Sequence, residues 1–143
     1  MRVLFDTSVL VPAVVDQLAN HEAALNALVS YTAGDHAGYC STHALAECYA
    51  TLTALPLPRR VQPVEARRLV EESLLARLTV VPLIEADYLD AIRRVSHGGL
   101  SSGVVYDALH VRCAERIPVD RILTCNLPDF ERLRPAGIVV MGP

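Results

Sequence analysis

Asp6, Glu47 and Asp107 are the residues whose settings point to chemistry. Asp6 closes the apolar run Val3-Leu4-Phe5, at the carboxyl end of a short predicted strand. That is where open α/β sheets bind their ligands, although a helix-capping Asp at a strand-to-helix turn is the plainer alternative. Asp107 falls on one helical stripe with Val104, Val111 and Ala114, while Arg112, Glu115 and Arg116 take the opposite flank. An ionised carboxylate in an apolar stripe is costly unless something pairs with it. Of its neighbours one turn away, only His110 can carry a positive charge. Either His110 compensates Asp107 or a partner comes from elsewhere in the fold. A divalent cation is the economical partner, and a structural ion pair is the alternative. Glu47 lies at the edge of the stripe Leu45, Cys48, Leu52, beside the small residues Ala44 and Thr51, which let a neighbouring backbone approach. A Glu so placed is ordinarily solvated.

Three acids from three separate elements would form an oxygen-only cluster if the fold brings them together. Hard oxygen ligands completed by water select Mg2+ or Mn2+ rather than zinc. Close carboxylates repel when no cation lies between them. Phosphodiester cleavage suits such a site, because the cation orients the phosphate, offsets transition-state charge and acidifies an attacking water.

The elements that must position these acids follow from periodicity and punctuation. Residues 2–5 read as a strand, and Thr7 or Ser8 as a cap for a helix over Val9–Val15 with Pro12 in its first turn. Asn20 reads as the cap of a second helix reaching Tyr31, with Ala24, Leu25, Leu28 and Val29 at helical spacing. Tyr39–Ser41 is a strand candidate, and Ser41 or Thr42 caps a helix in which Leu45, Cys48, Leu52 and Leu55 recur. Pro56, Pro58 and Pro63 form a stiff connection to a helix over Val64–Leu78, with Leu69, Val70, Leu74 and Leu75 inward. Thr79–Val81 is a third strand and Glu85–Val95 a further helix. Ser101 or Ser102 caps a long helix to Arg116 that carries Asp107. Ile122–Thr124 is a strand, Asn126–Asp129 a turn and Ile138–Met141 the last strand. Short apolar strands alternating with helices predict a three-layer α/β/α domain around a parallel sheet, with residues 1–143 as one domain.

Composition agrees with a folded enzyme-sized domain. The chain has 143 residues, 52% hydrophobic and 20% charged, enough to bury a sizeable core. The scarcity of aromatics argues against a stacking platform for unpaired bases. The net charge of −3 does not advertise nucleic-acid binding, but a cation held by carboxylates reverses the local sign. Cys40, Cys48, Cys113 and Cys125 show no zinc-like spacing, so they read as small hydrophobes in a reduced cytoplasm. No apolar run is long enough to cross a membrane. Asp6 and Pro12 interrupt the N-terminal apolar run, which argues against a secretory signal.

Four segments resemble, in order, the signatures of the PIN-domain nucleases. They are Leu4-Phe5-Asp6-Thr7-Ser8-Val9-Leu10, Ser41 through Glu47, Tyr106-Asp107-Ala-Leu-His-Val, and Leu123-Thr124-Cys-Asn126-Leu-Pro-Asp129-Phe130. Within that family the chain looks most like the VapC-type toxins of bacterial toxin–antitoxin pairs, over nearly its whole length. The resemblance implies a five-stranded parallel sheet in the order 3-2-1-4-5. It implies Mg2+ or Mn2+ bound chiefly through Asp6 and Asp107, with Glu47 as third acid and Ser8 and Thr124 as supporting hydroxyls. Metal-dependent endoribonuclease activity on tRNA, rRNA or mRNA, a homodimer and inhibition by a small cognate antitoxin are implied as well. The chain departs from the pattern where many members carry a fourth acid and Asn126 stands instead. Asp129 is the other candidate for that position, reaching in through water, and a single cation is expected.

Arg59, Arg60, Arg93, Arg94 and Arg112 are candidate RNA contacts, though each reads equally as a solvated face residue. His43, His97 and His110 have no assigned role. Two other classes compete with a ribonuclease. A PIN-like scaffold that binds RNA or protein without cleaving is favoured by Asn126. A haloacid-dehalogenase-type phosphatase wants a second Asp two residues after the first, where this chain has Ser8.

Overall fold

The computed structural model describes residues 1–143 and has five strands in one sheet, every neighbouring pair parallel, in the order β3-β2-β1-β4-β5. The strands are β1 (Arg2–Phe5), β2 (Ala37–Ser41), β3 (Leu78–Val81), β4 (Arg121–Leu123) and β5 (Val139–Met141). The helices are α1 (Thr7–Val14), α2 (His21–Ser30), α3 (Thr42–Ala54), α4 (Pro63–Arg68), α5 (Glu85–His97), α6 (Val104–Arg116) and α7 (Leu127–Arg132). This is the α/β/α architecture expected from the alternation of elements.

Period-two alternation sorts the strand residues between two apolar layers. Val3 and Phe5 of β1 face one layer with Cys40, Leu78 and Leu123, packed by α1, α2, α3 and α4. Leu4 and Ile122 face the other, packed by α5, α6 and α7 through Ala91, Leu109, Val111 and Phe130. Both faces of the sheet are covered, so the strand centres are apolar, with Arg2 and Arg121 at the strand starts. Gly38 sits in β2 between β1 and β3, in register with Val3 and Leu78. A Cβ there would come within 2.6 Å of Thr32 Cγ2 and 2.8 Å of Leu78 Cδ2, so only glycine fits.

Several boundaries differ from expectation, each for a local reason. The Asp6 carbonyl accepts Val9 N–H at 3.0 Å and Leu10 N–H at 3.1 Å, so α1 starts at Thr7 and Pro12 falls inside it rather than in its first turn. Asn20 precedes α2 but its side chain caps nothing. Leu25 and Val29 are exposed and Ala27 is buried in their place. The helix expected over Val64–Leu78 is α4 followed by a wider π-helical turn, Leu69–Leu74, because Leu78 is already paired in β3. That turn leaves Leu75 exposed. Neither Ser101 nor Ser102 caps α6: Gly103 is the cap residue and Ser102 has φ +61°. The segment Asn126–Asp129, expected as a turn, opens helix α7. Cys40, Cys48 and Cys113 are buried fillers, with burial pushing Cys40 and Cys113 up to about 12, whereas Cys125 is exposed. No helix is long and apolar enough to cross a membrane.

Helices α5 and α6 are joined by charge as well as by apolar contact. Asp87 is buried and accepts Ile84 N–H at 2.9 Å, Arg112 Nε at 3.0 Å and Arg116 Nη1 at 2.6 Å. Arg94 Nη2 donates to both oxygens of Glu115 at 2.8 Å. Two of the arginines considered as RNA contacts, Arg94 and Arg112, are thus engaged within the fold. Burial alone would raise the Asp87 pKa, but the Ile84 N–H and the two guanidiniums outweigh it and hold the carboxyl below its ordinary value.

Replacing Asp87 by Ala leaves two facing guanidiniums without their acceptor. Because both are one-third exposed, the expected loss is at the lower end for a broken buried pair, about 3 kcal/mol by urea denaturation. In the native chain this contribution is present above the unfolded carboxyl pKa of about 3.9 and is lost as pH falls through the lower folded value. A loss below 1 kcal/mol would show the pair to be incidental.

Candidate active site

The sheet order reverses at β1: the chain leaves it toward β2 and β3, then returns to pair β4 on its other side. A crevice opens outside the carboxyl ends of strands at such a switch point. Asp6 follows β1 and Thr124 follows β4, so the register that pairs Phe5 with Leu123 sets the two side by side. Asp6 is buried, and its Oδ2 accepts Ser8 Oγ at 2.5 Å and Thr124 Oγ1 at 2.9 Å. The two hydroxyls also accept, Ser8 from Cys125 N–H at 2.8 Å and Thr124 from Asn126 N–H at 2.9 Å. Ser8 and Thr124, expected as supporting hydroxyls, thus both contact the Asp6 carboxylate. They hydrogen-bond one oxygen of a buried acid and clip the β4–α7 loop onto it.

Asp107 reaches the same crevice from the first turn of α6. A cleft of about 370 Å3 is lined by Asp6, Ser8, Glu47, Asp107 and Asn126 among others. Burial, and then the charge of Asp6, push the Asp107 carboxyl up to about 6, against the opposing pull of His110 and the Asn126 amide. Asn126 Nδ2 donates to Asp107 Oδ2 at 3.2 Å and to Asp129 Oδ2 at 2.8 Å. Asp129 is held in addition by Arg132 and does not line the cleft. A somewhat larger cleft between the end of α1 and α4 contains Asp16, Glu65 and Glu72 but also Arg59 and Arg68, and no strand end opens into it.

Asp6, Glu47 and Asp107 all line this one cleft, but Glu47 is already paired within the protein. Glu47 comes from α3, and its Oε1 is taken by His110 Nε2 at 2.8 Å. No group of three His, Cys, Asp or Glu side chains forms a ready-made metal cage. The physical reason is His110, completely buried one turn after Asp107, whose Nε2 also lies 3.5 Å from Asp6 Oδ1. Burial alone would lower the His110 pKa. The Glu47 hydrogen bond and the surrounding acids reverse that and raise it. Burial would raise Glu47, yet the His110 hydrogen bond and the charges of His110 and His43 bring it below its ordinary value. His43 stacks on Tyr106, rings 5.0 Å apart, with Nε2 3.3 Å from Glu47 Oε1 but making no hydrogen bond. Burial holds the His43 pKa low. The i+3 spacing from Asp107 to His110 was the one sign of this arrangement in the sequence.

The PIN domain model matches residues 3–134. The chain belongs to the PIN-domain family. Ribonuclease VapC27 of Mycobacterium tuberculosis is 37% identical over 105 residues, covering 73% of this chain and 70% of that protein. Ribonuclease VapC40 of the same species is 30% identical over 132 residues, covering 90% and 92%. Among solved structures, the sarcin-ricin-loop-cleaving toxin VapC20 of M. tuberculosis superposes with a TM-score of 0.73 at 16% identity, covering 95% of this chain and 98% of that one. VapBC2 of Rickettsia felis, bound to a promoter DNA fragment, gives 0.69 at 16% identity, covering 100% and 99%. At such identities these structures speak for the PIN fold alone, and the sheet order seen here is the one that resemblance to the family implied.

The raised Asp107 pKa makes the cleft sensitive to pH and cations. A carboxyl whose folded pKa is raised contributes stability present below about 3.9 and lost as pH rises through about 6. Relative to Asp107→Asn, which stays neutral, the melting temperature of the native protein in EDTA is therefore expected to fall between about pH 4 and about pH 6 and to level off above. Millimolar Mg2+ at pH 7 is expected to restore the native protein and leave the variant unmoved. Parallel pH profiles for the two proteins, or no response to Mg2+, would show that Asp107 does not sense Asp6.

Proposed function

We propose that this PIN-domain protein is a metal-dependent endoribonuclease acting in the cytoplasm as the toxin of a type II toxin–antitoxin pair, built as a single domain. The observation that carries this reading is the pair Asp6 and Asp107, two carboxylates from different elements lining one cleft at the switch point, the second destabilised by the charge of the first. The VapC ribonucleases at 37% and 30% identity support RNA as the substrate.

The donor set fits Mg2+ or Mn2+. Every side-chain group facing the cleft from Asp6, Asp107, Ser8 and Asn126 presents oxygen or an amide, with no sulfur. Mg2+ keeps several waters and is commonly held by one or two carboxylates together with substrate phosphate, so two acids suffice without a protein cage. Asp6 and Asp107 would hold the ion, which would offset charge on the scissile phosphate and acidify the attacking water. Ser8 and Thr124 fix the Asp6 carboxylate. Asn126 orients Asp107 and ties it to Asp129, which acts from behind the amide rather than at the phosphate. Glu47 stands at the edge of the cleft as the third acid. A small antitoxin and a second copy of the chain are the expected protein partners. The exposed apolar residues Ile84, Tyr88, Leu89 and Ile92 along α5 give the molecule a face suited to protein contact.

The test uses purified protein, a pool of cellular RNA and Mn2+. Native protein is expected to cleave, EDTA to stop it, and Asp6→Asn to reduce the rate by more than about 100-fold, beyond the usual effect of changing a residue that only supports a ligand. Cleavage that survives Asp6→Asn would place the chemistry elsewhere. No cleavage of any RNA by native protein would instead favour a non-cleaving scaffold, the reading that Asn126 supports.

A further inference from the structure

His110 and Ser41 belong to none of the roles above, yet they make the most completely buried polar contact in the molecule. Both side chains are inaccessible to solvent. Ser41 is the N-cap of α3, and its Oγ accepts Ala44 N–H at 3.1 Å. That leaves its own hydroxyl proton free to be donated to His110 Nδ1, which lies 3.1 Å away. With Nδ1 accepting, a neutral imidazole must carry its proton on Nε2. Nε2 is the nitrogen aimed at Glu47 Oε1, 2.8 Å away, and 3.5 Å from Asp6 Oδ1. A doubly protonated ring keeps the same Nε2–H, because Ser41 Oγ has a further lone pair to accept from Nδ1. The contact with Glu47 does not depend on the charge of the ring.

We infer that His110 is a positioning residue: the cap of α3 fixes its ring through Ser41, and its Nε2–H holds Glu47 Oε1 beside the Asp6 carboxylate. Glu47 is then presented with one oxygen anchored and Oε2 without a protein partner. The inference rests on Asp6 and Asp107 as the pair that holds a divalent ion, and gives Glu47 its part beside them: with Oε1 anchored, Oε2 is kept at the pocket to complete the ion's shell through water. A bare Glu47 beside two acids would be repelled toward solvent. The imidazole supplies the donor that keeps it in place, from the same helix that carries Asp107. The start of α3 thereby positions an acid further along the same helix through α6, since Ser41 caps α3, Glu47 lies on it and the ring between them belongs to α6.

Isosteric amides separate this role from simple packing. The Gln amide nitrogen can reach the place of Nε2, whereas the Asn amide reaches only that of Nδ1, and both are uncharged and near the imidazole in size. In RNA-free protein, Mn2+ affinity measured by electron paramagnetic resonance is expected to fall about 10–100-fold in His110→Asn, while His110→Gln keeps it within about 3-fold of native, the range for a residue that orients a metal ligand. In the Glu47→Gln background, His110→Asn is expected to cost nothing further, since it acts through Glu47. On the native chain, nitrogen-15 spectra of the imidazoles are expected to show one slowly exchanging Nε2–H, which needs no variant to fold. Equal losses in Asn and Gln, full additivity with Glu47→Gln, or a bare Nε2 with the proton on Nδ1 would each overturn the relay. If native protein bound no Mn2+ at all, the metal reading itself would fail and the relay with it. If native protein bound Mn2+ but cleaved no RNA, the affinity measurements would still decide the relay.

Discussion

The burial of the Asp6 carboxylate constrains everything around it. A charge at the end of a covered parallel strand is tolerable only if donors or cations surround it. Here the donors come from three segments: Ser8 in the first turn of α1, Thr124 just beyond β4, and more distantly His110 on α6. Satisfying this one group therefore ties β1 to β4, fixes how α1 leaves the sheet and holds the loop that starts α7. Cys125 and Asn126 donate their backbone N–H groups to the same two hydroxyls, so the loop cannot shift without exposing the acid.

Charge balance then organises the pocket into two halves. On one side Asp6 and Asp107 share the cleft with few donors, and burial first, then the charge of Asp6, push the Asp107 carboxyl up to about 6. On the other, Glu47 is matched by His110 and flanked by His43. The first half is short of positive charge and the second is internally compensated. The first half gains most from a bound cation, which is why the proposed site is built on two acids, with Glu47 as the third acid at its edge. Asn126 continues the pattern by spreading a single amide across Asp107 and Asp129.

The remainder of the molecule keeps this arrangement rigid. Alternate residues of each strand feed separate apolar layers, one built on α1 to α4 and the other on α5 to α7. Helix α6, which carries both Asp107 and His110, is held against α5 by the buried Asp87 and its two arginines. Surface charges that looked available for nucleic acid are in part the fasteners of this helix pair. An acid on α6 can be placed against an acid on β1 because neither element is free to retreat from the repulsion.

From residue order alone followed the α/β class, the parallel sheet, the five strands within a residue or two and the choice of Asp6 and Asp107, which the fold brings to one cleft. Those features are local or periodic: an apolar run that stops at Asp, a carboxylate on an apolar helical stripe, turn residues between elements. Ser8, Thr124 and Asn126 were legible only through the likeness of four ordered segments to a known family, which also carried the sheet order. The tertiary structure decided the rest. Pairing of Ser41 with His110, and of His110 with Glu47, spans 69 and 63 positions of the chain, and no periodicity encodes contacts of that kind. Whether Arg112 meets RNA or Asp87, and whether Glu47 points at a metal or at a histidine, depends on which long-range partner lies within about 3 Å, the reach of a hydrogen bond. Such distances are properties of packed helices, set only when both apolar layers close on the sheet.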